Sequence, residues 1–288
     1  MVACKRSVVV AALICLSVAG RALAQDAEGK APAERPTVKV LIIGNSQISA
    51  NDLPRLIETV SRPAPEDVPR IEVTGAIVQG ATLKKCWDAE KEGGPPRSMI
   101  LAQKWDWVVV QEIFCPDKDQ FEEYATKFNK EIKKVGSKTL LFATASTSEF
   151  HYASFKYPGS FQRLNDMQIA YGREHGIPVA AAGYAWMKYL GANPSVEKRL
   201  ELYAKDKAHP GLKGSAIYAY LLYAHFTGRN PEDLPLPDGD LTYEGGVIPT
   251  PDGDWAWDGG TISREELAAM RKAAWAQYQE DMARMSDE

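Results

Sequence analysis

Cysteine and histidine are scarce in this chain, with four of each among 288 residues. The histidines are scattered, and only Cys86 and Cys115 lie outside residues 1–24. So few clustered ligands argue against a structural zinc site, and we expect no metal and no cofactor. In an oxidising compartment the two cysteines could form a disulfide, or both could stay free.

The chain also has no excess of positive charge, because it contains 34 Lys and Arg but 38 Asp and Glu. Residues 1–24 contain three basic side chains and no acidic one, so their removal would change the net charge from −4 to −7. An acidic chain argues against nucleic acid and anionic membrane surfaces as partners.

No segment after the first two dozen residues is long and apolar enough to span a membrane. The start of the chain combines a basic pair, a short apolar stretch over 7–20 and Ala22-Leu23-Ala24. This order predicts a cleavable signal peptide over 1–24, cut after Ala24, and a secreted or periplasmic protein. The polar residues 25–36 would form a flexible leader.

Five apolar or β-branched runs follow, and several are continuous rather than alternating, which is typical of strands buried on both faces of a parallel sheet. The runs are 38–44, 71–78, 107–111, 139–145 and 178–183. Helical spacing of apolar residues separates them, at 53–60, 121–132, 164–171 and 211–226. The alternation predicts an α/β fold, a three-layer α/β/α sandwich around a mostly parallel five-stranded sheet.

The composition changes after residue 230, and we expect 37–230 to form the main domain. Residues 234–260 are rich in Pro, Gly and Asp without periodicity, which predicts a long irregular segment. Ser263 and Glu266 have the spacing of a capping box and predict a helix to about Met282. Residues 231–288 would then be an extension whose helix docks on the domain.

Ser46 follows the first apolar run, Leu41-Ile42-Ile43-Gly44, almost directly. Because ligands bind beyond the carboxyl ends of parallel strands, Ser46 should lie at the ligand-binding edge of the sheet. A serine hydroxyl is a weak nucleophile without an adjacent base, and such a serine is more often a helix N-cap or a turn residue.

Asp206 and His209 could supply the base, because a carboxylate three residues ahead can reach Nδ1 of the imidazole. Nε2 would then be left to face a serine hydroxyl. The alternative is a surface aspartate and a capping histidine. Acyl transfer also needs donors for the oxyanion, which the N–H groups of Ser46 and Gly80 and the amide of Gln111 could provide.

Four ordered blocks resemble the SGNH/GDSL hydrolase superfamily, and together they span roughly residues 38–230. The blocks are Gly44-Asn45-Ser46, Gly80, Trp105-Asp106-Trp107-Val108-Val109-Val110-Gln111-Glu112 and Asp206-Lys207-Ala208-His209-Pro210. The likeness is closer to a bacterial branch with an Ile-Gly-Asn-Ser start. It implies a flavodoxin-like sandwich with the following roles: nucleophile Ser46, base His209, orienter Asp206, and an oxyanion hole of Ser46, Gly80 and Gln111.

Two positions depart from the superfamily pattern. Asn45 stands where Asp is usual, and Gln111 stands where the shorter Asn is usual. Asn165-Asp166 mimics the expected pair but falls in a helical stretch after the fourth run, so we interpret it as coincidental.

The sequence thus predicts a secreted serine esterase that works through an acyl-enzyme. Acylated carbohydrates, above all O-acetylated ones, are the first substrate hypothesis, and lipid or small-molecule esters are the second. A catalytically weak glycan-binding relative is the alternative outside catalysis, and the oligomeric state is open. Possible substrate contacts are Asn45, Gln47, Glu112, His151 and Tyr152.

Overall fold

The computed structural model describes residues 35–89, 96–114, 117–145, 160–244, 246–248, 255–257 and 259–286. Its central sheet has five strands, all paired in parallel, in the order β2-β1-β3-β4-β5. The strands are β1 Thr37–Gly44, β2 Arg70–Ile77, β3 Trp107–Val110, β4 Lys138–Phe142 and β5 Val179–Ala180. The predicted five-stranded parallel α/β fold is confirmed.

Helices cover both faces of this sheet, because each parallel pair needs a crossover connection. In chain order the helices are α1 Ser46–Ser49, α2 Leu53–Ser61, α3 Leu83–Asp88, α4 Pro96–Ala102, α5 Lys118–Lys134, α6 Ser160–His175, α7 Ala182–Leu190, α8 Val196–Leu200, α9 Leu212–Thr227 and α10 Arg264–Ser286. One face packs against α2, α7, α9 and α10, and the other against α3, α4, α5 and α6. None of the helices in the described part of the chain is both long and apolar enough to cross a bilayer.

Strand β1 shows why its sequence is continuously apolar. Val40 and Ile42 belong to the core on one face of the sheet, whereas Leu41 and Ile43 belong to the core on the other. All four side chains are fully buried. Successive side chains of a strand point to opposite faces, so a central strand with helices on both sides needs apolar residues at every position.

The fourth and fifth strands are shorter than their apolar runs predicted. β5 has only two residues because α7 begins at Ala182, and β4 ends three residues before Ala145. The N–H of Gly183 donates to the carbonyl of Ala143 at 3.1 Å. The first turn of α7 therefore donates to the carbonyl of Ala143, which would otherwise accept a hydrogen bond from a longer β5.

The prediction of an irregular segment over 234–260 was wrong in part. β6 (Leu241–Tyr243) pairs antiparallel with β9 (Gly260–Ile262), and β7 (Gly246–Ile248) pairs antiparallel with β8 (Trp255–Trp257). A strand of three residues is too short to show the alternation of apolar and polar side chains that identifies a strand, and the neighbouring Pro, Gly and Asp indicate turns. The pairing of these strands is therefore visible only in three dimensions.

Helix α10 begins at the predicted capping box. Ser263 Oγ accepts from the N–H of Glu266 at 3.2 Å, and the Glu266 carboxylate accepts from the N–H of Ser263 at 3.1 Å. The helix continues to Ser286 and packs against α9 and α7. Its buried Asp281 accepts from the N–H of Ala181 at 3.1 Å, so α10 contributes to the same core as the sheet.

Candidate active site

Ser46 is the first residue of α1, directly beyond the carboxyl end of β1. Asn45 caps this short helix, because its Oδ1 accepts from the N–H of Gln47 at 3.0 Å. The Gln111 side chain lies so close to residue 44 that only glycine fits there, because a Cβ would come within 2.5 Å of Gln111 Oε1. The central strand thus delivers a half-buried Ser46 to the edge of the sheet where ligands of α/β proteins bind.

The predicted partners of Ser46 are brought together across 163 residues of sequence. His209 Nε2 lies 3.0 Å from Ser46 Oγ, and His209 Nδ1 lies 2.5 Å from Asp206 Oδ2. The three side chains therefore form one line of hydrogen bonds from carboxylate to imidazole to hydroxyl.

The loop that carries His209 is organised by Asp206. Its Oδ1 accepts from the N–H groups of Ala208 at 2.9 Å and His209 at 3.0 Å, and Lys207, directly after Asp206, has a left-handed φ of 60°. The N–H of Ala204 also donates to the carbonyl of His209 at 2.8 Å. These bonds close a tight turn that presents the imidazole without help from the sheet.

Partial burial alone would raise the pKa of the Asp206 carboxyl. Hydrogen bonds from the His209 ring and from the N–H groups of Ala208 and His209 outweigh burial and hold that pKa well below its usual range. An ionised carboxylate accepts the Nδ1 proton, so the lone pair of Nε2 faces Ser46. This arrangement allows His209 to take a proton from the hydroxyl.

The N–H groups of Ser46 and Gly80 are candidates for the predicted oxyanion site, because the residues flanking the Gly80 turn, Val78 and Ala81, bond to Gly44 and Asn45. Gly80 adopts a left-handed φ of 60° in the exposed turn after β2, a conformation that glycine adopts without strain. Neither its N–H nor that of Ser46 donates a hydrogen bond to any residue that the structure describes. Donors without an acceptor in the protein are what an oxyanion site needs.

The side chain of Gln111 is placed differently from the prediction. Its Oε1 accepts from the N–H of Asn45 at 3.0 Å, and its Nε2 donates to the carbonyl of Glu112. The side chain is fully buried. With one methylene more than Asn, it folds back below Gly44, where it braces the turn before Ser46 instead of presenting a donor beside the hydroxyl.

Three of the predicted substrate contacts prove to be buried and bonded within the protein. Asn45 donates to the carbonyl of Ala81 at 2.9 Å, Gln47 donates to the carbonyl of Ala208, and the Glu112 carboxylate accepts from an N–H at the start of α3. None is more than 4% exposed, so they support the walls of the site and do not line it. The other two predicted contacts, His151 and Tyr152, lie outside the described residues.

The remaining predicted features are the two cysteines and the Asn165-Asp166 pair. Cys86 is a buried free thiol whose pKa is raised to about 12 by burial, with a smaller contribution from Glu112. Its possible partner Cys115 lies outside the described residues. Asn165 is buried in α6 and donates to the carbonyl of Thr144 at 3.2 Å, while Asp166 accepts from Tyr184. The Asn-Asp pair thus bonds to Thr144 and Tyr184 rather than to Ser46.

The chain has the fold of SGNH hydrolases. A proposed SGNH hydrolase from Slackia heliotrinireducens is 20% identical with a TM-score of 0.54, covering 65% of this chain and 97% of its own. A DUF4886 family protein from Bacteroides uniformis is 15% identical with a TM-score of 0.58, covering 83% of this chain and 94% of its own.

An engineered variant of Axe2, an acetyl-xylooligosaccharide esterase from Geobacillus stearothermophilus, shares the fold too. It is 14% identical with a TM-score of 0.52, and the match covers 69% of this chain and 98% of the esterase. At these identities the likeness establishes the fold alone. No family model and no curated protein sequence matches the chain.

A cavity of about 520 Å³ opens beside the His209–Asp206 pair. Its walls come from the loop before α9, from the turn after α1 and from β9. The lining mixes apolar and polar groups, and its polar side chains include Glu201, Tyr203, Lys213 and Thr261. Lys213 bridges the carboxylates of Glu201 and Glu266, so these charged groups beside the cavity are paired. No group of three or more metal-binding side chains occurs among the described residues.

Sequence reasoning missed Asn51 altogether. It lies between α1 and α2 with a left-handed φ of 55°, is 3% exposed and donates to the carbonyl of Pro210 at 2.8 Å. The available signal was weak, because an Asn tolerates left-handed backbone better than most residues but occurs in many turns.

The buried carboxyl of Glu112 leads to a prediction about pH and stability. Burial raises its pKa to about 7, although the N–H groups of Ile113 and Leu83 lower it in part. Because the folded pKa lies above the ordinary value of 4.5, this group stabilises the fold fully below about pH 4.5 and loses that contribution as the pH rises through 7. We expect a loss of roughly 3 kcal/mol, at about 1.4 kcal/mol per pKa unit.

Urea unfolding of wild-type protein and Glu112→Gln between pH 5 and pH 8 measures this effect. Glutamine cannot ionise, so the stability of the variant relative to wild type should rise with pH. The exposed Glu72→Gln serves as the control and should keep a constant difference from wild type. A constant difference for Glu112→Gln as well would contradict the prediction.

Proposed function

We propose that this protein is a serine esterase. The observation that carries the proposal is the line of hydrogen bonds from Asp206 through His209 to Ser46, with distances of 2.5 Å and 3.0 Å. The N–H groups of Ser46 and Gly80 support it, because neither donates within the described part of the chain and both could bind the oxygen that becomes negatively charged during acyl transfer.

In the proposed reaction, Ser46 Oγ attacks the ester carbonyl while His209 Nε2 takes the hydroxyl proton. The N–H groups of Ser46 and Gly80 stabilise the negative oxygen of the tetrahedral intermediate. Collapse breaks the bond to the alcohol, which leaves with the proton from His209. Water then attacks the acyl-serine with His209 again as base, releasing the acid and restoring Ser46.

We propose O-acyl groups of carbohydrates, above all acetyl groups, as the substrate class. The cavity beside His209 supports this choice, because Glu201, Lys213 and Thr261 in its lining offer hydrogen-bonding groups to sugar hydroxyls. The alcohol leaves from the side of the base that protonates it, so a sugar would occupy this side. An acetyl-xylooligosaccharide esterase is among the proteins that share the fold. The composition of residues 1–24, which lie outside the described part, supports export.

Acetate release and active-site labelling test this function. The protein lacking residues 1–24 should release acetate from acetylated xylo-oligosaccharides and should hydrolyse p-nitrophenyl acetate much faster than a long-chain p-nitrophenyl ester. A fluorophosphonate should modify one serine, and peptide mapping should place the label on Ser46. Ser49, three residues further along the same short helix, is the internal control and should stay unlabelled.

Each result has a clear consequence. Preference for the long-chain ester would replace carbohydrate by lipid as the substrate class. Binding of the oligosaccharide without acetate release, together with no label on Ser46, would favour a glycan-binding protein and would overturn the esterase.

A further inference from the structure

Two buried amides from the segment after β1 hold the backbone on either side of His209. Gln47 Nε2 donates to the carbonyl of Ala208 at 3.1 Å, and Asn51 Nδ2 donates to the carbonyl of Pro210 at 2.8 Å. Both amide side chains are at most 4% exposed. Because residues 208 and 210 are the immediate neighbours of the histidine, these contacts fix the imidazole-bearing backbone at two points.

The backbone at Asn51 is unusual in a way that serves this contact. Asn51 and Asp52 have consecutive left-handed φ values of 55° and 46°. Such conformations are unfavourable for residues other than glycine and persist where surrounding contacts determine them. The side chain of Asn51 also donates to Ser215 Oγ in the first turn of α9 at 2.9 Å. One amide therefore links the serine segment, the histidine loop and the helix after it.

These contacts matter because the nucleophile and the base are carried by separate structural elements. Ser46 is delivered by the central strand, whereas the loop of His209 is closed by its own hydrogen bonds and lies outside the sheet. The distance of 3.0 Å between Oγ and Nε2 depends on how the two segments are held together. Proton transfer needs hydrogen-bond contact, and a displacement of about 1 Å can reduce catalysis roughly 100-fold.

We propose that Gln47 and Asn51, here called the amide clamp, are positioning residues that set the distance between the nucleophile and its base. This inference rests on the proposed esterase function. The clamp contacts the backbone beside His209 and not the reacting atoms, so it acts through the histidine. It deepens the proposed mechanism by assigning two buried side chains that the catalytic line itself does not include.

Two substitutions each remove one contact of the clamp, and Asn51→Gly also removes the bond to Ser215 Oγ. Gln47→Met keeps the length of the side chain but deletes the donor. Asn51→Gly deletes the side chain and suits the left-handed backbone. Each should lower kcat on p-nitrophenyl acetate by about 10- to 100-fold, with KM changed less than about threefold, because the base is displaced while the substrate site is kept.

The matched control is Gln277→Met, the same substitution at another fully buried amide. Gln277 lies on α10, and its Nε2 donates to Asp281 at 2.8 Å. Loss of this bond should lower the melting temperature, but kcat of the folded protein should stay within about twofold of wild type. A fall in kcat equal to that of Gln47→Met would mean that any buried amide loss affects turnover, and it would overturn the clamp.

A second readout separates positioning from general structural damage. In a His209→Ala background no imidazole remains to be positioned, so Gln47→Met should cause no further loss of the residual turnover. The same 10- to 100-fold loss in that background would overturn the proposal. Asn51→Gly provides an independent test if Gln47→Met does not fold.

The outcomes also separate this proposal from the proposed function. Wild-type kcat in both clamp variants, combined with an inactive Ser46→Ala protein, would overturn the clamp and leave the esterase in place. Absence of turnover and of Ser46 labelling in the wild-type protein would overturn both.

Discussion

We expect Ser46→Ala to lower kcat on p-nitrophenyl acetate by about 10⁴-fold or more. In the proposed reaction Ser46 Oγ forms the covalent bond to the acyl group, and His209 Nε2 at 3.0 Å removes its proton. Alanine removes the nucleophile but keeps the free N–H groups of residues 46 and 80. The variant should therefore bind the substrate with a similar KM while the chemical step is lost.

Ser49→Ala is the matched control for this result. Ser49 is a buried serine in the same short helix, and its hydroxyl donates to the carbonyl of Ser46 at 3.2 Å without contacting His209. Its replacement should change kcat less than about threefold. Circular dichroism of both variants would show that the fold is kept. Retention of wild-type kcat by Ser46→Ala would assign turnover to another group and would end the serine mechanism.

Asp206→Asn should lower kcat by roughly 10⁴-fold, although the loop should keep its shape. An Asn oxygen can still accept from the N–H groups of Ala208 and His209. Its NH₂ group would instead face His209 Nδ1, where the carboxylate now accepts at 2.5 Å. The imidazole must then place its proton on Nε2, which becomes a donor toward Ser46 and cannot act as the base.

Asp166→Asn is the control, because it makes the same substitution at an exposed aspartate in α6 that is bonded to Tyr184. It should leave kcat within about twofold of wild type. The decisive measurement is kcat and KM for both variants on p-nitrophenyl acetate. A loss smaller than about tenfold in Asp206→Asn would show that the carboxylate does not select the tautomer of the histidine.

Much of the fold could be predicted because it follows from patterns among residues that are close in sequence. The continuous apolar run before Ser46 indicates a strand covered on both faces, and the structure confirms that β1 is fully buried at Val40, Leu41, Ile42 and Ile43. The three-residue separation of Asp206 and His209 is also local, since a tight turn alone brings a carboxylate to Nδ1. Such features depend on neighbours in sequence and are therefore readable from it.

Contacts over long sequence separations could not be predicted in the same way. Gln47 and Glu112 were possible substrate contacts, but both side chains turn inward to bond backbone groups. Gln111 was expected to donate to the oxyanion, but its extra methylene allows it to brace Asn45. The direction of a side chain depends on which groups from distant parts of the sequence pack against it, and no local pattern specifies those groups.

By itself the sequence determined the order of strands and helices, the position of Ser46 after the first strand and the Asp206–His209 pair, because these follow from periodicity and short-range geometry. Only the tertiary structure decided that the imidazole meets the hydroxyl across 163 residues, that buried amides hold the backbone beside it, and that the segment after residue 230 contains paired strands. Those features arise when separate segments pack together, and their free energy comes from contacts that exist only in the folded chain.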